Sequence, residues 1–230
     1  MPFFYYYDPT YVLVLIAFAL SMFASFGVNA TFSKYKEVRS GRGITGSEAA
    51  RKILDGNGLY NVRVEHISGN LNDHFDPRAN VIRLSDATYN DSSVAAIGVA
   101  AHEAGHAVQH ATDYVPIKLR NSIVPVVNIS TSLSMPLFLI GLLLGYAGLT
   151  MLGIILFSAS LLFQLVTLPV EFNASNRAIK ILDTSGMLDD GELKGAKKVL
   201  RAAGMTYVAA AAASALQLLR LFIIANRRRD

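Results

Sequence analysis

The chain has 230 residues, 52% hydrophobic and only 17% charged, with a net charge of +4. Soluble domains carry about a quarter charged residues, so composition excludes disordered, collagen-like and coiled-coil classes and argues against a purely soluble protein. The basic residues flank long apolar runs and build no patch with aromatics, which excludes nucleic acid as a partner; with no cysteine, any metal site must use His, Asp and Glu.

From Pro9 to Ala30 the chain carries no charge, about the length needed to cross a bilayer. The aromatic cluster Phe3-Phe4-Tyr5-Tyr6-Tyr7 precedes it, where an interfacial belt would sit. No Lys or Arg precedes the run, whereas Lys34, Lys36, Arg39 and Arg42 follow it, so residues 1–30 read as a retained anchor and not as a signal peptide. Residues 31–122 form a polar segment. Thr45-Gly46-Ser47-Glu48 has capping-box spacing for a short helix ending near Gly56. Two β-prone stretches follow, Val62 to Ile67 and Val81 to Leu84, separated by Asn, Asp, Pro and Gly. Ser92 or Ser93 can cap the next helix, which runs through His102 and His106.

Residues 123–170 contain no charge over roughly two bilayer widths, with Gly145-Tyr146-Ala147-Gly148 as the natural turn of a transmembrane hairpin. Residues 171–203 read as a second polar segment of Lys- and Arg-rich helices, in which Met187-Leu188-Asp189-Asp190-Gly191 is a helix start. In residues 204–230 the run Met205 to Ala225 is apolar but contains Gln217 and Arg220. It either spans the membrane, with Arg220 snorkelling towards Arg227-Arg228-Arg229, or packs as a buried helix.

His102-Glu103-Ala104-Gly105-His106 is an H-E-x-x-H motif. On a 3.6-residue helix this spacing places both imidazoles on one face, about 6 Å apart along the axis, from which both reach one ion. Glu103 adjoins the first ligand and is placed to take a proton from a zinc-activated water. A catalytic zinc takes three protein ligands. His110 lies a further turn along, about 6 Å past His106 and beyond reach of the same ion, which leaves it a supporting or capping role. Glu171 stands where the hairpin ends, and an even number of crossings returns it to the side of His102. It is either the third ligand or an ordinary carboxylate at a helix start.

Over nearly its full length the chain resembles the YugP-like membrane zinc metallopeptidases and is more distantly similar to other membrane gluzincins. The resemblance is carried by Thr45-Gly46 with Ala50-Arg51-Lys52-Ile53-Leu54, Asn57-Gly58-Leu59-Tyr60, Asp73-His74-Phe75-Asp76-Pro77, Arg83-Leu84-Ser85 and Val94-Ala95-Ala96. To these are added His102 to His106 with Gln109-His110, and Glu171-Phe172-Asn173-Ala174-Ser175. It implies one zinc per chain, held by His102, His106 and Glu171, with Glu103 as general base. Ser175 departs from the gluzincin pattern, which has an Asp there to orient a zinc-ligand His.

The expected architecture is a mainly helical integral membrane protein, with transmembrane helices and a zincin-like catalytic domain containing a small β-hairpin or sheet. The expected activity is zinc-dependent endopeptidase action on peptide or membrane-protein substrates, at the cytoplasmic face of the cell membrane. The alternatives are an intramembrane protease of the site-2 kind and a zinc-stabilised membrane scaffold without turnover. Lesser candidates are His74 and Arg177, for a second metal or for oxyanion charge or merely as loop and salt-bridge residues. His74 in the second role would be held by Asp73 or Asp76. Val81, Ile82, Arg83, Leu84 and Ser85 read as an edge strand on which substrate backbone docks.

Overall fold

The computed structural model describes residues 8–227. Its elements are helices α1 (Tyr11–Lys36) and α2 (Gly46–Gly56), strands β1 (Arg63–His66), β2 (His74–Asp76) and β3 (Val81–Leu84), and helices α3 (Val94–Ala111), α4 (Val115–Leu144), α5 (Ala147–Thr184) and α6 (Asp190–Asn226). The aromatic cluster Phe3 to Tyr7 and the arginines Arg228 and Arg229 lie outside the described residues. Contacts group the chain into two compact units. One comprises Met1–Ala24, Leu119–Thr167 and Thr206–Asp230, the other Ser25–Lys118 and Leu168–Met205.

The first unit contains most of the apolar sequence. α1, α4, α5 and α6 are each long and apolar enough to cross a membrane, and within this unit Phe18, Phe23, Leu143 and Ile155 expose most of their side chains. Apolar surface of that extent is stable against lipid and not against water. The α4–α5 connection is tight. Gly145 takes a left-handed φ of 66°, and the Tyr146 amide donates to the Gly141 carbonyl at 2.9 Å, a helix stop that favours glycine. A methyl on Gly153 would lie 2.7 Å from the Ser134 carbonyl oxygen, so small residues let α4 and α5 pack backbone to backbone. Around this contact Phe138, Ile154 and Leu221 form a small apolar core.

Arg220 is held at the amino-terminal end of α1. Its Nε donates to Thr10 Oγ1 at 3.2 Å, its guanidinium lies 4.7 Å from the centre of the Tyr11 ring, and Asp8 stands 3.8 Å away. Arg227 also pairs with Asp8, at 3.2 Å. The bonds from Thr10, then the two arginines, hold the Asp8 carboxyl below the usual carboxylate range.

The second unit is built on a hydrophobic core of Ile53, Leu54, Ile82, Leu84, Ile97 and Leu182, each almost fully buried. α2 starts as its sequence requires. Thr45 Oγ1 accepts from the Glu48 amide and Glu48 Oε2 accepts from the Thr45 amide at 2.9 Å, a complete capping box. α3 is capped by Ser93, whose Oγ accepts from the Ala96 amide at 3.2 Å. α6 opens with the same reciprocal device between Asp189 and Glu192. The helix then continues without a break through the apolar run from Met205.

The β element is a three-stranded sheet in the order β1-β3-β2. β1 runs parallel to β3, pairing Arg63 with Val81 and His66 with Leu84. β2 runs antiparallel to β3, pairing His74 with Arg83 and Asp76 with Val81. This corrects the reading of Val81, Ile82, Arg83, Leu84 and Ser85 as a docking edge. β3 is the central strand, and its backbone groups are already paired on both sides. The Ser85 amide and hydroxyl donate instead to the Asp73 carboxylate at 2.8 and 3.0 Å. The buried, near-continuous apolar character of β3 belongs to a central strand. β2 went unforeseen because three residues followed by Pro77 carry too little pattern to read.

α3 packs directly on α5, and one position controls the approach. A methyl on Gly105 would lie 2.7 Å from the Ala174 carbonyl oxygen. Gly105→Ala is therefore expected to destabilise the protein by about 1–3 kcal/mol through overpacking. At Gly27, where nothing lies within 4 Å, Gly→Ala should be neutral or stabilising by up to about 1 kcal/mol. Thermal unfolding of both variants in detergent checks this, and equal melting temperatures would refute the close packing.

Candidate metal centre

His102 and His106 project from one face of α3, and Glu171 projects from α5 two residues after Pro169. Their donor atoms converge. His102 Nε2 and His106 Nε2 are 3.1 Å apart, and Glu171 Oε2 lies 3.2 Å from the first and 3.4 Å from the second. A tetrahedral ion with arms near 2.05 Å requires ligand separations of about 3.3 Å, so the three atoms already form one face of such a shell.

The tautomers sharpen the point. Gln109 is fully buried and donates from Nε2 to the Val170 carbonyl at 2.8 Å and to Asn173 Oδ1 at 2.9 Å. Its amide orientation is thereby fixed, and Oε1 must accept from His106 Nδ1 at 2.9 Å. His102 Nδ1 lies 3.1 Å from Ser175 Oγ. With protons on both Nδ1 atoms, both Nε2 lone pairs point at the Glu171 carboxylate. Three lone-pair donors held this close repel one another unless a cation or a proton sits between them, so the donor set fits a metal such as zinc. Burial pulls the His106 imidazole down, but Glu171 and Glu103 outweigh it and hold the group above its usual value, so protons compete with metal for this site.

Glu103 is buried beside the donor cluster. Burial pushes its carboxyl above the ordinary value, both imidazoles oppose that, and Glu171 and Asp73 add to it. Its Oε2 accepts the Phe75 backbone amide of β2 at 3.0 Å. That amide points away from β3 and is orphaned by the sheet, so the strand edge anchors the carboxylate and leaves Oε1 as its free acceptor.

The structure brings His102, Glu103, His106, Glu171 and Ser175 together and leaves the other sequence candidates outside. His110 is exposed at the end of α3, its ring edge-on to Phe75 with centroids 5.9 Å apart. His74 is exposed on β2. It is held by the Asn72 carbonyl at 2.9 Å and by Arg83 at 3.5 Å, not by Asp73 or Asp76, because both carboxylates are engaged elsewhere, Asp73 with Ser85 and Asp76 with Arg83. Arg177 donates from Nε to Asn173 Oδ1 at 2.8 Å and lies over the Tyr114 ring at 5.8 Å. It steadies the residue that receives Gln109 and does not face the cluster. Gln109 is the residue that motif reading passed over. Its signal was an amide three residues after His106 on an otherwise small, apolar helix face.

The sequence pattern of a family described as "Putative neutral zinc metallopeptidase" matches residues 10–226. The chain is 50% identical over 218 residues to a Bacillus subtilis protein named "Putative membrane protease YugP", covering 95% of this chain and 97% of that one. No solved structure matches. With its four long apolar helices and a His, His, Glu group able to hold a metal, this multi-pass membrane protein belongs to the zinc metallopeptidase family that the pattern describes.

Proposed function

We propose that the protein is a membrane-embedded zinc endopeptidase whose reaction centre is His102, His106, Glu171 and Glu103. The observation that carries this is the convergence of three lone-pair donors within 3.4 Å beside a buried carboxylate that no structural metal site requires. Bound zinc would supply a Lewis acid that polarises a peptide carbonyl and lowers the pKa of water. Glu103, steadied through Oε2 by the Phe75 amide, takes the proton of the attacking water on Oε1 and passes it to the leaving amine. Gln109 and Ser175 hold the two imidazoles so that Nε2 of each would be available to the metal.

A reaction site at the cytoplasmic membrane surface, outside the hydrocarbon, is supported by the placement of the ligands. α3, which carries both histidines, is not among the four apolar helices. Lys34, Lys36, Arg39, Arg42, Lys118 and Arg120 border the same polar segment, as Arg177 and Lys180 border the next. Arg220 and Arg227, the basic side chains at odds with this topology among the described residues, both stand beside Asp8.

Metal analysis and peptide cleavage by purified protein test the chemistry. His102→Ala, His106→Ala and Glu171→Ala are each expected to lose zinc. Glu103→Gln should retain zinc and lose about 10² to 10⁴ in rate, and equal activity would leave a non-catalytic scaffold as the better reading. Gln109→Leu should lower zinc affinity about 10- to 100-fold with the three ligands intact, read by competition with a chelating dye. An unchanged affinity would show that the amide does not orient His106.

The cysteine-free sequence allows a direct topology test. Cysteines placed at exposed Ser68 and Ser185 should resist an impermeant thiol reagent in intact cells and react after lysis. Labelling of both before lysis would invert the orientation.

A further inference from the structure

A basic groove lies between the end of α1 and the start of α6, within the second unit and apart from the metal centre. It has a volume of about 460 Å³ and is lined by Ala30, Lys34, Tyr35, Lys198, Arg201 and Met205 among others. Three of these are cations and none of the lining residues is acidic. Among the described residues no carboxylate pairs with Lys34, Lys198 or Arg201. The only partner of Lys34 is the Tyr35 ring, 5.8 Å away. The nearest acid in α6, Glu192, is occupied with the Gly41 and Asp189 amides. Arg39 and Lys118 pair with Asp91 and Asp113; what sets Lys34, Lys198 and Arg201 apart is that all three line one groove.

The groove is also graded. α1 and α6 run antiparallel here, since Tyr35 closes on Gly195 while Phe32 shares a small core with Val199. The uncharged run of α1 precedes Lys34, and the apolar run of α6 follows Arg201. On both helices, therefore, the groove passes from apolar (Ala30, Met205) to basic (Lys34, Lys198, Arg201) in the same direction. Depth agrees with this. Arg220 stands level with Tyr11; from that level Lys34 is 23 residues along α1, and Arg201 and Lys198 are 19 and 22 residues along α6. At 1.5 Å per residue these are about 35, 29 and 33 Å, at the boundary of a hydrocarbon core of about 30 Å. The cations on both helices thus fall at headgroup depth.

We propose that this groove binds the phosphate headgroup of an anionic phospholipid, with the upper part of an acyl chain against Ala30 and Met205. Clustered basic side chains without counter-charge, at headgroup depth and between two spans, are the recognition chemistry such lipids require. The ion pairing that Lys34, Lys198 and Arg201 lack within the chain is supplied by the lipid. This inference rests on the membrane placement of α1 and α6 and not on hydrolysis.

The test uses the full-length protein in mild detergent, titrated separately with phosphatidylglycerol, phosphatidylcholine and inorganic phosphate and read by native mass spectrometry. Wild type should retain phosphatidylglycerol far better than the other two. The triple variant Lys34→Gln, Lys198→Gln, Arg201→Gln should bind it about a hundredfold more weakly. A control triple at other exposed cations, Lys52→Gln, Arg78→Gln, Lys180→Gln, should bind as wild type does. The single exposed replacement Lys198→Glu gives the same reading if the triple fails to fold. Equal retention of phosphatidylglycerol by wild type and Lys198→Glu, or of the two lipids by wild type, would overturn the proposal. Binding of inorganic phosphate as tight as that of phosphatidylglycerol would make the groove a site for free anions and overturn it equally.

Discussion

The contact on which the site depends is the meeting of Glu171 with the two imidazoles of α3. The Glu171 carboxylate is only 4% exposed, and a buried charge without compensation costs several kcal/mol. Its compensation is a proton or cation shared with His102 and His106, 69 and 65 residues earlier in the chain, so this one cluster, once so filled, ties α3 to α5. The helices must then approach closely, and the H-E-x-x-H motif contains the means. Gly105, at one of its unspecified positions, lies against the Ala174 carbonyl. A larger side chain there would separate the ligands even though every ligand was present.

Around the three donors, buried polar groups hold the imidazoles and leave few bonds unmade. Gln109 accepts from His106 and donates to both Val170 and Asn173, and Asn173 in turn accepts from Arg177. Among the described residues Thr88 Oγ1 is the buried side-chain atom left without a partner, and it lies on the loop before α3, not at the metal centre. Such a satisfied network selects one tautomer and one ring orientation for His106, which is what a metal needs from its ligands before it arrives. Ser175 gives His102 a neutral hydrogen-bond partner where an aspartate would give a charged one. The imidazole is held in place with less added negative charge in a site that already contains Glu171 and Glu103.

What the sequence disclosed and what it withheld divide along the range of the interactions. Local signals were legible. The Thr45–Glu48 box, the Ser93 cap, the glycine turn between α4 and α5 and the spacing of His102 and His106 each act within a few residues, and all four take the form their spacing requires. Contacts made across the chain were not legible. A run such as Val81 to Leu84 is compatible with an edge or a centre, and only the unforeseen pairing with both β1 and β2 decides it. The partner of Arg220 is Thr10, 210 residues away, and no periodicity records that. Glu171 was reachable by counting membrane crossings; Gln109 gave only a faint local signal, an amide three residues after His106, and its role is defined by acceptors on another helix.

The length of α5 bears on where the proposed hydrolysis would take place. Glu171 is the 24th residue after Ala147, the first of the helix, which at 1.5 Å per residue is about 36 Å along the axis. A hydrocarbon core is about 30 Å thick, so a helix entering at Ala147 has left it by the time it presents the carboxylate. The same helix then turns polar through Asn173, Ser175, Asn176 and Arg177. A ligand within the core would have to draw water to itself across lipid. A ligand one turn beyond it has water at hand, while the stiff helix still fixes its height against the bilayer. On the proposed reading of the protein as a peptidase, the substrate would therefore be a peptide segment at the membrane surface.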